Sequence, residues 1–278
     1  MRPRPTGNPA TSKSDEAWRT SITHIEPNRI LVRGYALDEL MGRVSFGDAI
    51  YLLLQGELPP PAISRIITAI LVSSVDHGAM PPSTLVARNV ATTGAPLRAA
   101  VAAGVLGFGA YHGGDVEACM EVLDRGLELV RGGTPHTEAA ETVVNGLLAE
   151  GKRVPGFGHR LHTRDPRANK LLQMAYDLDV EGEHVRLLRV MERVLGKAKR
   201  TEADPIPINV DGAISAICGD IGLDHEFGAA LFIISRVPGL IAHAHEERLR
   251  ERPMRQIDPK DAVYDGPGER RLPEGRKA

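Results

Sequence analysis

The sequence predicts an all-α fold with a short β element near the N-terminus. Three observations carry this reading. Aromatic residues make up only 4% of the 278 residues while alanine and leucine are plentiful, a balance that suits packed helices. From Gly34 onward, apolar residues recur at helical spacing in stretches cut by Pro, Gly and Asn. Residues 19–33 differ: β-branched residues flank Pro27 and Asn28, the pattern of a short hairpin.

Each element follows in order. Ser45 can cap a helix running through Leu54 and ending at Gly56, and Leu58 with Pro59, Pro60 and Pro61 makes a break. Residues 62–76 carry an apolar helical stripe closed by Asp76, His77 and Gly78. Further helices are predicted at 83–93, 97–109, 115–131, 135–150, 166–178, 182–197, 212–221 and 225–250. The ends, 1–16 and 265–278, are rich in Pro, Gly and charge and are read as flexible around a compact body spanning 17–264.

Composition narrows the function classes. A net charge of −2 gives no electrostatic footprint for nucleic acid. Cys119 and Cys218 stand in no metal-ligand spacing and read as buried small apolar residues of a reducing compartment, with no metal expected. No uninterrupted run approaches the roughly 18 apolar residues that span a bilayer, and residues 1–16 lack an apolar leader segment. The expectation is a soluble cytoplasmic protein with neither membrane nor nucleic-acid partners.

The most informative stretch is Val154, Pro155, Gly156, Phe157, Gly158, His159 and Arg160, followed by Asp165, Pro166 and Arg167. Two glycines let a turn approach a ligand closely, and Pro155 stiffens it. His159 adds an acid/base group, and Arg160 and Arg167 add fixed positive charge suited to carboxylates or phosphates. Other candidates are weaker taken singly. His77 before Gly78 is also what an ordinary helix end looks like. His112, Gly113 and Gly114 read equally as a linker, and Asn209 and Asp211 as an ordinary helix cap. Arg236 lies in an otherwise apolar helix, where an unpaired charge is costly, so a partner or an anionic ligand is implied. Arg252 by itself reads as a solvated surface residue. His243 and His245 are two apart and do not share a helix face, which argues against a shared metal.

Taken together and in this order, the segments resemble the citrate synthase superfamily over most of the chain. The similar stretches are Ile30–Leu40, Ser45–Pro59, Asp76–Gly78, His112–Gly114, Pro155–His159, Asn209–Asp211, Arg236–His243 and Arg252–Pro253. Only 16 residues separate Pro59 from Asp76, where citrate synthases carry extra helices. The compact form resembles stand-alone citryl-CoA lyases and the citryl-CoA lyase module of ATP-citrate lyase. Asp-His-Gly at 76–78 and Asn-Val-Asp-Gly at 209–212 agree with that. His112 does not, because the animal lyase module has an aromatic residue there.

The resemblance implies a citrate synthase-like helical fold with large and small subdomains, the small one roughly 115–215. It implies cleavage of citryl-CoA to acetyl-CoA and oxaloacetate. The alternatives are a citrate or 2-methylcitrate synthase and, from another class, a non-catalytic CoA-binding or regulatory homologue. Carried over, Asp211 exchanges the proton of the acetyl carbon and His112 hydrogen-bonds the thioester oxygen. His159 exchanges the proton on the carbonyl or hydroxyl oxygen, with His77 at the same end. Arg167 and Arg236 clamp substrate carboxylates, and Arg252 does so across a dimer interface. Pro155, Gly156, Phe157, Gly158 and Arg160 meet coenzyme A, which is part of the substrate and not a resident cofactor. Gly78, Gly114, Gly156 and Gly158 are the expected hinges of closure. A homo-oligomer, at least a dimer, is expected. The chain has no Gly-x(4)-Gly-Lys-(Ser/Thr) nucleotide loop, so it is not expected to activate citrate with ATP by itself, and the sequence leaves open a separate citryl-CoA synthetase as partner.

Overall fold

The computed structural model describes residues 19–113, 115–198 and 206–272. The expected flexible N-terminus at 1–16, the hinge Gly114 and the last residues of the expected C-terminal tail lie outside them. The chain divides into two compact units, residues 1–68 and 69–278.

The first unit holds the β element. Strands β1 (Thr23–Glu26) and β2 (Arg29–Val32) pair antiparallel with Glu26 opposite Arg29, so Pro27 and Asn28 form the turn, Asn28 at φ 62°. The helical pattern expected from Gly34 does not start there. Arg33 and Gly34 both take positive φ, 49° and 88°, the geometry of a two-residue hairpin turn. They reverse the chain into a third strand, β3 (Tyr35–Ala36), before the short helix α1 (Leu37–Leu40). Arg33 ties the sheet to α2 (Phe46–Gln55), its Nη2 donating to the Leu53 carbonyl at 2.7 Å. Helix α2 starts at a reciprocal Ser45–Asp48 capping box and stops at left-handed Gly56, as its sequence predicts.

Helix α3 (Pro61–Ser73) carries the chain across the boundary. In the second unit α4 (Pro82–Thr92), α5 (Leu97–Leu106) and α11 (His225–Arg250) pack together around Ala91, Ala100 and Ala244. Helices α6 (Asp115–Arg131), α7 (His136–Ala149), α8 (Pro166–Asp177), α9 (Glu183–Ala198) and α10 (Val210–Asp220) form a second group. Helix α10 is its axis: Gly212 through Cys218 are all buried, against α6, α8, α9 and α11. Cys119 and Cys218 are free and buried, and burial pushes both thiols up to about 12.

Helix α11 is long and apolar enough to pass a membrane-span test by length and composition, with 44% of the window buried inside the structure. It packs on α4, α5, α6 and α10 and carries buried Arg236 and Glu247. Glu247 accepts from Arg88 Nε at 2.6 Å and Arg255 Nε at 2.7 Å, the pairing that a buried charge requires.

Candidate active site

Three loops and three helices of the second unit converge on one cluster. Helix α3 ends at Ser73 and not at 76, so His77 stands in the loop before α4 and not on a helix end. There Asp76 turns back to accept the Gly78 amide at 3.0 Å. The His77 ring meets His159 edge to face, centroids 6.2 Å apart. Partial burial, then the positive charges of Arg167 and Arg236, push His77 down to about 4, so it is neutral at physiological pH. His159 is lowered by burial and by its stacking neighbour His162, centroids 4.3 Å apart.

The loop carrying His159 is held by its backbone. Gly158 N donates to Pro207 O at 2.8 Å, Asn209 N to Gly156 O at 3.1 Å, and Asn209 Nδ2 to Gly158 O at 3.1 Å. Asn209 also caps α10 by accepting from Gly212 N at 3.0 Å. Here the sequence expectation is corrected. The missing Cβ of Gly156 makes room for this protein and not for a ligand: a Cβ there would meet Cys119 Sγ at 2.5 Å and Gly212 Cα at 2.8 Å. Pro155 and Phe157 are buried with it, which makes Gly156 a fixed point and a poor hinge. Gly158 is less enclosed, and Arg160 is exposed with no ion pair among the described residues.

Next to that backbone contact stands Asp211, half-buried in the first turn of α10. Its Oδ1 is buried and has no partner among the described residues. Burial, then the nearby Asp115 carboxylate, pushes Asp211 up to about 6, against the pull of Arg167 and Arg236. A helix N-terminus alone would hold it low. Asp115 is itself paired with Arg153.

Arg236 is 2% exposed. Its Nε donates to Ser74 O at 2.9 Å, its guanidinium lies 5.0 Å over the Phe232 ring, and its buried Nη1 has no partner among the described residues. An open buried guanidinium N–H is a donor that could receive an anion. Arg167 differs from the expectation. Its Nε and Nη2 bind Asp165 at 3.0 and 2.8 Å, so the edge expected to clamp substrate already holds a carboxylate and the Nη1 side remains. His112 Nε2 is 2.8 Å from Ser83 Oγ, and its ring stacks on Phe108 at 5.2 Å. Arg252 follows α11 as an exposed residue, with no ion pair among the described residues.

The structure therefore brings together His77, His112, His159, Arg167, Asp211 and Arg236. Sequence reasoning missed Ser83, Asp115 and the role of Asp165, which caps α8 and binds Arg167. Only Asp165 had a signal: an acidic residue before Pro166 is a helix-start pattern. Among the described residues no cluster of His, Cys, Asp and Glu could hold a metal.

Known proteins resemble this chain to different extents. The structure of citryl-CoA lyase from Hydrogenobacter thermophilus is 41% identical and covers 92% of this chain and 97% of that one, with a TM-score of 0.83. Citrate synthase from Thermoplasma acidophilum, solved with carboxymethyl coenzyme A and oxaloacetate, is 25% identical over 84% of this chain and 60% of that one, with a TM-score of 0.68. A putative citrate synthase 2 of Mycobacterium tuberculosis is 33% identical over 226 residues, 78% of this chain but 55% of that protein. The chain thus spans little more than half the length of such curated relatives. Residues 59–257 match the family described as citrate synthase, C-terminal domain, and the chain belongs to the citrate synthase family.

Proposed function

We propose that the protein cleaves citryl-CoA to acetyl-CoA and oxaloacetate. The observation that carries this reading is the 41% identity and TM-score of 0.83 with a citryl-CoA lyase over nearly the full length of both chains, set against 33% identity with the putative citrate synthase 2 and 25% with the Thermoplasma enzyme. The site's chemistry supports it. Arg236, with its open Nη1, and the free side of Arg167 receive the carboxylates. Two main-chain amides, of Leu161 and His162, donate to His159 Nδ1 at 3.1 Å each, so a neutral ring carries its proton on Nε2 and presents a donor. Neutral His77 is then the acceptor of the pair. This exchanges the roles that the resemblance implies for the two histidines: the tertiary hydroxyl loses its proton to His77 while His159 Nε2–H holds the same oxygen. The oxygen electrons form the new carbonyl, and the carbon–carbon bond breaks towards the thioester. The enolate oxygen takes a hydrogen bond from His112, whose Nδ1 carries the proton when Ser83 donates to Nε2. Protonated Asp211 delivers its proton to the carbon, giving acetyl-CoA.

His112 with its Ser83 partner favours a second reading, condensation by a citrate or 2-methylcitrate synthase, since it completes the His-His-Asp set. Exposed apolar side chains on α4, α5 and α11, among them Leu85, Leu106, Ile241 and Leu249, support a homo-oligomer; a monomeric mass in solution at micromolar concentration would refute that. The function is tested by feeding citryl-CoA and following oxaloacetate with malate dehydrogenase, then running acetyl-CoA or propionyl-CoA with oxaloacetate and following free thiol. Rapid oxaloacetate release is expected. Condensation without citryl-CoA cleavage in the single-turnover regime would overturn the reading.

A further inference from the structure

Helix α11 grips the last turn of α3 and the loop that follows it along one of its faces. Ser235 Oγ donates to Leu71 O at 2.5 Å, and the next residue, Arg236, donates to Ser74 O. At Gly239 the helix backbone comes so close that a Cβ would meet Val75 O at 2.5 Å and Asp76 Oδ1 at 2.8 Å. His243 Nε2 reaches Asp76 Oδ1 at 3.0 Å. Residues 235, 239 and 243 are each four apart, so they form one row on the helix. The grip ends beside His77. Asp76 gives one oxygen to His243 and the other to the Gly78 amide, and so spans the residue between them.

The His243 side chain is 15% exposed and Asp76 43%. His243 Nδ1 is buried without a partner, so Nε2 makes the ring's one polar contact among the described residues. We propose that His243 is a positioning residue, whose contact with Asp76 sets where His77 stands relative to Arg236 and His159. Without that contact the loop retains the bond from Arg236 Nε to the Ser74 carbonyl, two residues before Asp76, but loses its hold next to the imidazole. Burial works to raise the Asp76 carboxyl, and the amides of Gly78 and His77 together with His243 outweigh it and hold it low; the acceptor is therefore charged throughout the working range. His243 needs only to donate.

The inference rests on the citryl-CoA reading for its kinetic arm and is independent of it in its spectroscopic arm. His243→Leu removes the donor, and His243→Gln keeps one near the Nε2 position. Imidazole NMR of the full chain follows the His77 titration in each, with His77→Asn to assign the signal. In wild type His77 stays neutral down to about pH 4. His243→Leu is expected to raise that midpoint towards 6.5 as the ring leaves its buried, arginine-flanked place, while His243→Gln stays near wild type. In the citryl-CoA assay the Leu variant should lose on the order of 10- to 100-fold in kcat/KM through misplacement of the imidazole, and the Gln variant should recover most of it. An unshifted His77 in His243→Leu overturns the inference whatever the activity, as does equal loss in both variants. Should His243→Leu not fold, Asp76→Asn must shift the same signal or the inference fails. A wild type inert towards citryl-CoA, with the His77 shift present in His243→Leu, would sink the activity reading and support this one.

Discussion

Replacing Asp211 by Asn should make the fold more stable at neutral pH while removing the chemistry. The carboxyl is raised from its ordinary 3.8 to about 6, first by burial and then by Asp115. At about 1.4 kcal/mol per pH unit, that rise means the ionised side chain costs the native state on the order of 3 kcal/mol. The sign follows from proton binding. The native state holds this proton more tightly than the unfolded chain, so stability from this group falls as pH rises from about 3.8 through about 6. The amide of the variant would be neutral throughout. The variant's advantage should be near zero at pH 4 and grow to at most about 3 kcal/mol above pH 7, reduced by whatever the buried amide leaves unpaired. Urea unfolding of both proteins from pH 4 to 8 measures it, and the citryl-CoA assay on the same samples should show a loss of about 100-fold or more. A stability difference that does not change with pH, or a variant less stable than wild type at pH 8, would refute the buried-carboxylate argument. Activity within tenfold of wild type would remove Asp211 from the proton-transfer role.

Gly212→Ala places a methyl group on the Gly156 carbonyl oxygen, a backbone atom that cannot rotate away. It should cost about 1–3 kcal/mol in denaturant unfolding and impair turnover, and an Ala variant as active and stable as wild type would show that the two segments part freely. His112→Phe should depress acetyl-CoA condensation more than citryl-CoA cleavage when each is measured as a single committed step. Condensation must pull a weakly acidic carbon proton to reach the enolate, whereas cleavage reaches it by bond breaking; equal losses would mean that His112 acts on a step common to both. His184 bridges Asp220 and Asp124 at 2.9 Å each, and His225 shares Asp124 at 2.8 Å. Burial lowers His184 but the two carboxylates more than offset it and hold it raised, while burial raises Asp124 and its two histidines hold it low. The His184 contribution is complete below 6.5 and lost as pH climbs through its higher native value; that of Asp124 is complete above 3.8 and lost as pH falls through its lower one. His184→Gln should therefore destabilise more at pH 5.5 than at pH 8.5, and equal effects at both would contradict the network.

Local chemistry made much of the fold legible. Helix α11 runs over 225–250 as its sequence predicts, because Asp224 caps it by accepting from the Phe227 amide. Helix α6 likewise keeps its expected bounds at 115–131. The misses have local causes too. The stripe of 62–76 outruns its helix by three residues because Asp76 is drawn off by Gly78 and His243. The third strand escaped notice because Arg33, a residue not specialised for positive φ, shares a left-handed turn with Gly34. At the site, the motif residues were readable as types in order, but their partners were not. Ser83 reaches His112 across 29 positions, and Asp76 reaches His243 across 167; no periodicity encodes such pairings.

The glycine-rich motif acquires its meaning only at this second level. Gly156 and Gly212 press two backbones together, and Asp211, next to Gly212 and itself half-buried, has its Oδ1 out of reach of solvent. A helix N-terminus would favour the ionised form by about 0.3–1 kcal/mol, up to about 2 in partly buried geometries, less than the roughly 3 kcal/mol that corresponds to a rise from 3.8 to about 6, so burial wins. The surrounding charges sharpen the result because most are already spoken for. Asp115 is paired with Arg153, and Arg167 with Asp165. Arg236 has no carboxylate partner within ion-pair distance among the described residues, and its Nη1 is open. A substrate carboxylate seated on Arg236 would take up its charge and weaken its pull on Asp211. The side chain would then hold its proton more firmly at the moment the proton is needed on carbon. On the proposed reading, the residues that bind the anion and the residue that moves the proton are in this way one electrostatic unit, assembled beside the close contact of Gly156 and Gly212.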